Sequence, residues 1–273
     1  MRLTEWAEDA RLIHPNQSGF RKNRSTQDNI FKIIESCKAG LMLKKNAAII
    51  LFDIEKAFDK APHYGILRQL DLYGCPPILG KWLSSFLSDR SFIVEIDGVF
   101  SLEESITAGV PQGSHLSPLL FSLFINEIGS ILDKLDVHFA LFADDLTIWK
   151  IHSEIDSIEQ TLQLATNAIN LIFTNIGLKL NEKKCQYSIF TSKRSHLSIN
   201  IFINNKLIDY VTNPVILGIS FDKKINFVFH FRQLLKKIIS KINLLSILSR
   251  KSNNLEPRYL LTIYKALILS KVQ

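Results

Sequence analysis

The segment "HFALFADDLTIWK", His138 to Lys150, constrains the fold more than any other stretch of the chain. Two aspartates, Asp144 and Asp145, stand side by side between two short apolar runs rich in aromatic and branched residues. Each run reads as a β-strand, and two residues between such runs read as a tight hairpin. The pair is poor turn chemistry, because a two-residue hairpin favours Asn-Gly or Asp-Gly, whose central residues accept positive φ. It is poor electrostatics as well: two carboxylates about 5 Å apart repel by roughly 3 kcal/mol at an effective dielectric near 20. A local rule broken without local gain marks a candidate functional site. The plainer alternative is a solvated turn with no role.

The rest of the chain must supply a setting. Its 273 residues, 47% hydrophobic and 22% charged, can bury one large core or two smaller ones. No uncharged apolar run is long enough to span a membrane, and the N-terminal "MRLTEWAEDARL" has no signal-peptide core. Cys37, Cys75 and Cys185 are far apart without C-x-x-C spacing. That suggests a reducing compartment, no disulfide frame and no zinc knuckle. The expectation is an intracellular protein of the nucleus or cytoplasm, neither secreted nor membrane-bound.

Charge is unevenly placed. From Lys223 to Gln273 there are eleven Lys and Arg against one acid, Glu256; the residues before them hold the other 22 of 33 basic and 25 of 26 acidic groups. A basic stripe beside an acidic pocket suits a polyanion held next to a metal site. The alternative is a solvated helix face.

Along the chain, residues 26–45 read as an amphipathic helix starting near Ser25 or Thr26. "AAIILFDI" (47–54) reads as a buried strand ending in Asp53. Helices follow over 63–74, closed by Gly74, and over 77–89. "SFIVEIDGVFSLEESI" carries a strong hairpin signal at Asp97-Gly98. After the loop "AGVPQGS" (108–114), one long helix is expected through "SPLLFSLFINEIGSILDKL", with Ser117 as N-cap and Pro118 at its first position. A helix over 154–176 ends at Gly177. Strands are expected near 185–191, 197–203 and 207–211, with a turn at Asn204-Asn205, and "VILGISF" (215–221) as another. Two basic helices, 228–250 and 256–271, close the chain. The mixed order predicts an α+β fold with an antiparallel sheet.

Asp53 ends one buried strand, and Asp144 and Asp145 sit between two others. Carboxylates converging at strand tips become sensible if divalent cations are present, since hard oxygen ligands suit Mg²⁺. Two such ions about 3.5–4 Å apart can clamp the attacking and leaving oxygens of a phosphoryl displacement.

"LFDIEKAFDKAPHYGIL", "AGVPQGSHLSPLLFSLFINEI", "FALFADDLTIW" and "IGLKLNEKKCQYSIF" occur in that order. They resemble the successive palm motifs of reverse transcriptases. "NQSGFRKNRSTQDNIFKI" before them and "NPVILGISFDKKINFVFHF" after them resemble non-LTR retrotransposons of the jockey type. The resemblance implies a right-hand polymerase: partial fingers over 1–46, a palm over 47–222 with fingers elements inserted at about 64–110, and a partial basic helical thumb over 223–273. It implies an RNA-directed DNA polymerase that adds dNTPs to a DNA primer on an RNA template with two Mg²⁺ ions, or Mn²⁺.

By the same resemblance, Asp53 and Asp144 are the metal-bridging carboxylates and Asp145 the third acid. Phe58 is the aromatic that excludes a 2′-hydroxyl, with ordinary core packing as its alternative. Gln112 touches the incoming nucleotide and template, and Gly109 and Gly113 allow close backbone approach. Lys184 protonates the leaving pyrophosphate, with Lys183 the neighbour it could be confused with. Gln17, Phe20 and Arg21 contact template, Arg21 having a plain surface arginine as its alternative. Lys236, Lys237 and Lys241 follow the template–primer backbone by phosphate contacts that do not read sequence. His63 and His115 are expected to cap or pack, and Asp59 to cap a helix.

The pattern departs mildly at Ser18 and Phe227. The family's upstream fingers strands and its endonuclease domain are not in this sequence. The chain is therefore expected to be a piece of a longer polyprotein or a relic of one, and the alternative function is a catalytically dead remnant that only binds nucleic acid.

Overall fold

The computed structural model describes residues 3–193, 197–251 and 256–272. They fall into two compact units, Met1–Thr212 and Asn213–Gln273. The first is organised by a five-stranded sheet: β1 (Asn46–Phe52), β2 (His138–Phe142), β3 (Asp145–His152), β4 (Gln186–Phe190) and β5 (Asp209–Tyr210), in the spatial order β5-β4-β1-β3-β2.

The near-continuous apolar run of β1 is explained by its position. It lies between β3 and β4, and helices cover both faces. Ala48, Ile50 and Phe52 share a core with Ile158, Leu162, Ala165, Ile169 and Phe173 of the helix Ile155–Asn175. On the opposite face lies the helix Thr26–Met42. The Trp149 indole N–H donates to Ser36 Oγ at 2.8 Å, and a Cβ on Gly40 would come within 2.4 Å of Ile151 Cγ2. Strand alternation puts Ile49, Trp149 and Ile151 on this second face.

β1 pairs antiparallel with β3 and β4, and β2 with β3, as expected. β5 departs from the expectation and runs parallel to β4. The chain between them crosses back through a short hairpin, Phe202–Ile203 with Lys206–Leu207, and such a crossover is what parallel pairing requires.

Asp97-Gly98 is the hairpin turn, with φ of 51° and 80° between Ile96 and Val99. The long helix expected from Ser117 instead breaks into Ser117–Phe124 and Glu127–Leu132. Asn126 occupies the break: its Nδ2 donates to the Leu12 carbonyl and the Tyr73 hydroxyl, and its Oδ1 accepts from the His14 amide. Those tertiary bonds compete with helix continuation. Ser117 is the first helical residue rather than the cap, and its hydroxyl donates to the Pro111 carbonyl at 2.6 Å.

In the second unit, "VILGISF" is a tight hairpin rather than one strand, Val215–Ile216 against Ile219–Ser220, turning at Leu217 and Gly218 with φ of 45° and 87°. The basic helices are Val228–Lys251 and Pro257–Tyr264, the latter continuing into a π-helical turn at Lys265–Leu269. Lys236 and Lys237 are exposed and Lys241 is partly so. No helix among the described residues is long and apolar enough to cross a membrane.

Candidate active site

The hairpin between β2 and β3 does not turn at Asp144-Asp145. Phe142 pairs with Asp145, so the two turn residues are Ala143 and Asp144, and Asp145 opens β3. Ala143 takes the positive φ, at 57°. The shift of one residue relaxes the sequence conflict, because only one aspartate now sits in the turn.

Asp53 lies directly beyond β1. Its backbone is held on both sides: the Asn181 amide donates to the Asp53 carbonyl at 2.8 Å, and the Asp53 amide donates to Cys185 Sγ at 3.4 Å. Its carboxylate Oδ1 is 3.8 Å from Lys184 Nζ. Asp53 and Asp144, 91 residues apart in the chain, line one cleft of about 360 Å³ together with Phe58, Asp59, Gln112 and Lys184.

The electrostatics agree with this convergence. Burial pushes the Asp144 carboxyl above the usual carboxylate range, and the charge of Asp53 adds to the shift. Asp145 is raised by desolvation first, then by Asp144 and Asp53. Asp145 is also solvent-exposed and does not line the cleft, so water screens its charge more than that of Asp144.

Among the described residues, no three His, Cys, Asp or Glu side chains gather closely enough to hold a metal ion by themselves. A Mg²⁺ site does not require that. The ion keeps several waters and is held through one or two carboxylates plus substrate phosphates. Two hard oxygen donors in one cleft, one of them ionising reluctantly beside the other, fit such an ion.

The other residues singled out from sequence divide clearly. Phe58 is half-buried, stacks on Phe121 at 4.5 Å between ring centroids and still lines the cleft. Lys184 faces the cleft, while Lys183 lines a different pocket with Asn170 and Thr174. Gln112 is exposed at the rim, where its Nε2 donates to Asp59 Oδ1 at 2.9 Å. Asp59 therefore receives Gln112 instead of capping its helix. Gly113 has φ of 86° and open space around it; Gly109 has φ of 92°, and a Cβ there would meet the Asp59 carbonyl oxygen at 2.8 Å. His63 packs as expected, its Nε2 2.7 Å from the Gly109 carbonyl oxygen.

Two of the three template-contact expectations meet a different geometry. Gln17 is 1% exposed, and its amide is taken up by the backbone of Ala143. Arg21 is turned inward: Nε and Nη2 bind the Glu8 carboxylate, and Nη1 donates to the carbonyls of His14 and Gln17. That guanidinium holds the Glu8 carboxyl below its ordinary range. Phe20 is exposed, with its ring 6.3 Å from that of Phe142 beside the Ala143-Asp144 turn. Lys236, Lys237 and Lys241 belong to the second compact unit.

Sequence reasoning does not single out Asn181 behind Asp53 or Asn29 behind the turn, and it gives Gln17 a different role from the one its bonds to Ala143 show. Cys185 stands in the motif beside Lys184, but nothing local in the sequence shows that its sulfur accepts from the Asp53 amide.

The reverse transcriptase (RNA-dependent DNA polymerase) family matches residues 1–221. The chain belongs to the reverse transcriptase family. It is 28% identical over 272 residues to the RNA-directed DNA polymerase from mobile element jockey of Drosophila melanogaster, covering 98% of this chain and 30% of that protein. It is 26% identical to the probable RNA-directed DNA polymerase from transposon BS of the same species, over 92% of this chain and 28% of that protein. The chain thus spans about 30% of the length of these relatives. Apo telomerase from Candida tropicalis, truncated at its C-terminal domain, is similar in structure at a TM-score of 0.52 and 15% identity, over 72% of this chain and 38% of that one. That likeness concerns the fold: the reverse transcriptase chain has the mixed helix-and-sheet, palm-like α+β architecture.

Proposed function

We propose that this reverse transcriptase chain is the polymerising portion of an RNA-directed DNA polymerase from a non-LTR mobile element. The observation that carries the reading is the shared cleft of Asp53 and Asp144, lined also by Phe58, Gln112 and Lys184. In this reading residues 1–46 are fingers, 47–222 palm with fingers elements at about 64–110, and 223–273 thumb.

Asp53 and Asp144 would hold divalent ions, Mg²⁺ or Mn²⁺, with Asp145 beside them. Bound there, such ions would supply charge neutralisation to the phosphoryl group in transfer. The primer 3′-hydroxyl oxygen bonds to the α-phosphorus of a dNTP, its proton passing to solvent water, as the bond from that phosphorus to the oxygen of the departing pyrophosphate breaks. Lys184 gives a proton to the departing pyrophosphate from its place beside Asp53. Phe58, braced by Phe121, meets the sugar of the dNTP, and Gln112 at the rim meets nucleotide and template. Phosphoryl transfer of this kind depends on positioning and charge more than on covalent help from the protein. Lys236, Lys237 and Lys241 bind phosphates of an RNA template with its DNA primer. The setting is intracellular, in nucleus or cytoplasm, and the three unpaired cysteines are compatible with it.

Primer extension tests this. Residues 1–273 would replace the matching segment of the jockey polymerase, and the chimera would be given a DNA primer on an RNA template with dNTPs and Mg²⁺. Extension is expected, with a drop of orders of magnitude on Asp144→Asn. Near-normal extension by that variant overturns the assignment. A chimera that binds primer–template but never extends favours the dead-remnant alternative.

A further inference from the structure

The turn that presents Asp144 is held from outside the sheet. Residues 16–18 run along the free edge of β2. The Leu141 amide donates to the Asn16 carbonyl and the Ser18 amide to the Leu141 carbonyl, each at 2.9 Å. Gln17, between them, sends its side chain one step further. Its Oε1 accepts from the Ala143 amide at 3.0 Å and from the Gly19 amide at 2.8 Å, and its Nε2 donates to the Ala143 carbonyl at 3.3 Å. One side-chain amide thus takes both polar groups of the residue directly before Asp144. The side chain of Asn29 adds a bond to the Leu141 carbonyl at 2.8 Å. Gly19 closes the arrangement, since a Cβ there would lie 2.3 Å from the Ala143 nitrogen.

These bonds lie where a turn needs external support. Ala143 is a non-glycine residue at positive φ, which costs free energy unless its surroundings over-determine it. Asp144 is also pressed by a second carboxylate across the cleft. A turn free to relax would swing Asp144 toward solvent and away from Asp53. Gln17 is 1% exposed and Ala143 4% exposed, so water cannot substitute, and loss of the amide leaves buried backbone groups unpaired.

We propose that Gln17 is a positioning residue for Asp144: it clamps the Ala143-Asp144 turn so that the Asp144 carboxylate faces Asp53 at the separation a divalent ion needs. The inference rests on the polymerase reading above and deepens it, moving Gln17 from template contact to site assembly. Outer partners that orient metal ligands are worth about 10–100-fold in affinity, which sets the scale of the effect.

The test is Mn²⁺ binding to the whole chain, followed by electron paramagnetic resonance, in the parent protein, Gln17→Met, Asp144→Asn and the double variant. Gln17→Met keeps size and removes the amide. It is expected to weaken Mn²⁺ binding roughly 10-fold or more. In the Asp144→Asn background it should have no further effect, because Gln17 acts through Asp144. Unchanged affinity in folded Gln17→Met overturns the clamp. So does a loss that adds to that of Asp144→Asn, which a merely structural role would give. Should Asp144→Asn leave Mn²⁺ affinity untouched, the metal reading itself falls and this one with it. If Gln17→Met does not fold, hydrogen exchange in the parent decides: a protected Ala143 amide supports the clamp, and exchange at an unstructured rate overturns it.

Discussion

The Asp53 backbone amide donates to the sulfur of Cys185 at 3.4 Å, across 132 residues of chain. The contact joins the end of β1 to the residue that precedes β4, so the loop carrying Lys184 and the strand end carrying Asp53 are fixed as one piece. Cys185 is fully buried, and burial pushes its thiol up to about 11. At neutral pH it is a neutral, weak acceptor and not a nucleophile.

Alkylation should therefore distinguish the three cysteines. Cys37 is also buried, its thiol pushed up to about 12, while Cys75 is only partly covered, its thiol raised by partial burial and by the charge of Asp71. In the folded chain at pH 7.5, iodoacetamide is expected to label Cys75 first, with Cys37 and Cys185 labelled only on unfolding. Mass mapping of the modified peptides reads this out. Early labelling of Cys185 would mean that the loop behind Asp53 opens readily.

The acidic pair predicts a pH dependence with a definite sign. Asp144 and Asp145 ionise less readily in the folded chain than an ordinary aspartate. Their protons are thus held more tightly when folded. The cost of ionising them is absent in acid and grows as pH rises from the ordinary aspartate range, about 4, toward the raised values. Asp144→Asn should therefore raise Tm at pH 7, and the gain should shrink toward pH 4. Thermal unfolding of both proteins across that range checks it. A gain that grew on acidification would contradict the assigned cause.

Phe58 combines packing with exposure to the cleft, so its substitutions should separate two effects. Phe58→Ala loses the stack on Phe121. Being half-buried, it should cost less than the roughly 3–5 kcal/mol of a fully buried phenylalanine. It should also raise incorporation of ribonucleotides relative to deoxynucleotides in the polymerase chimera. Phe58→Leu should recover most of the stability while leaving the sugar less restricted than in the parent. Competition between the two nucleotide classes is the measurement, and an unchanged ratio would return Phe58 to a packing role alone.

How much of this was legible in the sequence depends on what kind of signal each feature leaves. β1 was legible because burial on both faces produces an unbroken apolar run. The Asp97-Gly98 turn was legible because its chemistry is local. The register of the aspartate turn was not, since apolar runs fix the strands but not which two residues lie between them. The turn left by the pairing of Phe142 with Asp145 is contacted by Gln17 and Gly19, far away in the chain. The break at Asn126 shares that origin, since its side chain bonds to Leu12, His14 and Tyr73, far away in the chain. Arg21 differs: its partners Gln17, His14 and Glu8 lie 4, 7 and 13 residues before it, but no helix or strand runs from them to Arg21, so no periodicity links them. Asp53 and Asp144 themselves were legible because charges that end apolar strands conflict with their surroundings.

The basic second unit yields the last prediction. Its helix Val228–Lys251 presents Lys236 and Lys237 to solvent, with Lys241 partly so, and the net charge of the chain is +7. If these lysines bind the backbone of a primed duplex, affinity should fall steeply between about 50 and 200 mM salt, with a log–log slope near 0.9 per phosphate neutralised. Removing one contacting lysine should then do two things together: weaken binding at low salt, and lower the slope by roughly one. Lys236→Ala, Lys237→Ala and Lys241→Ala, singly and combined, can be compared by filter binding of an RNA–DNA primer–template across a salt series. Because phosphate contacts position without reading bases, the effect should be equal on unrelated sequences. A triple variant with unchanged affinity and slope would show that this helix face is only solvated, whereas a loss of affinity at constant slope would point to disturbed folding instead of lost phosphate contacts.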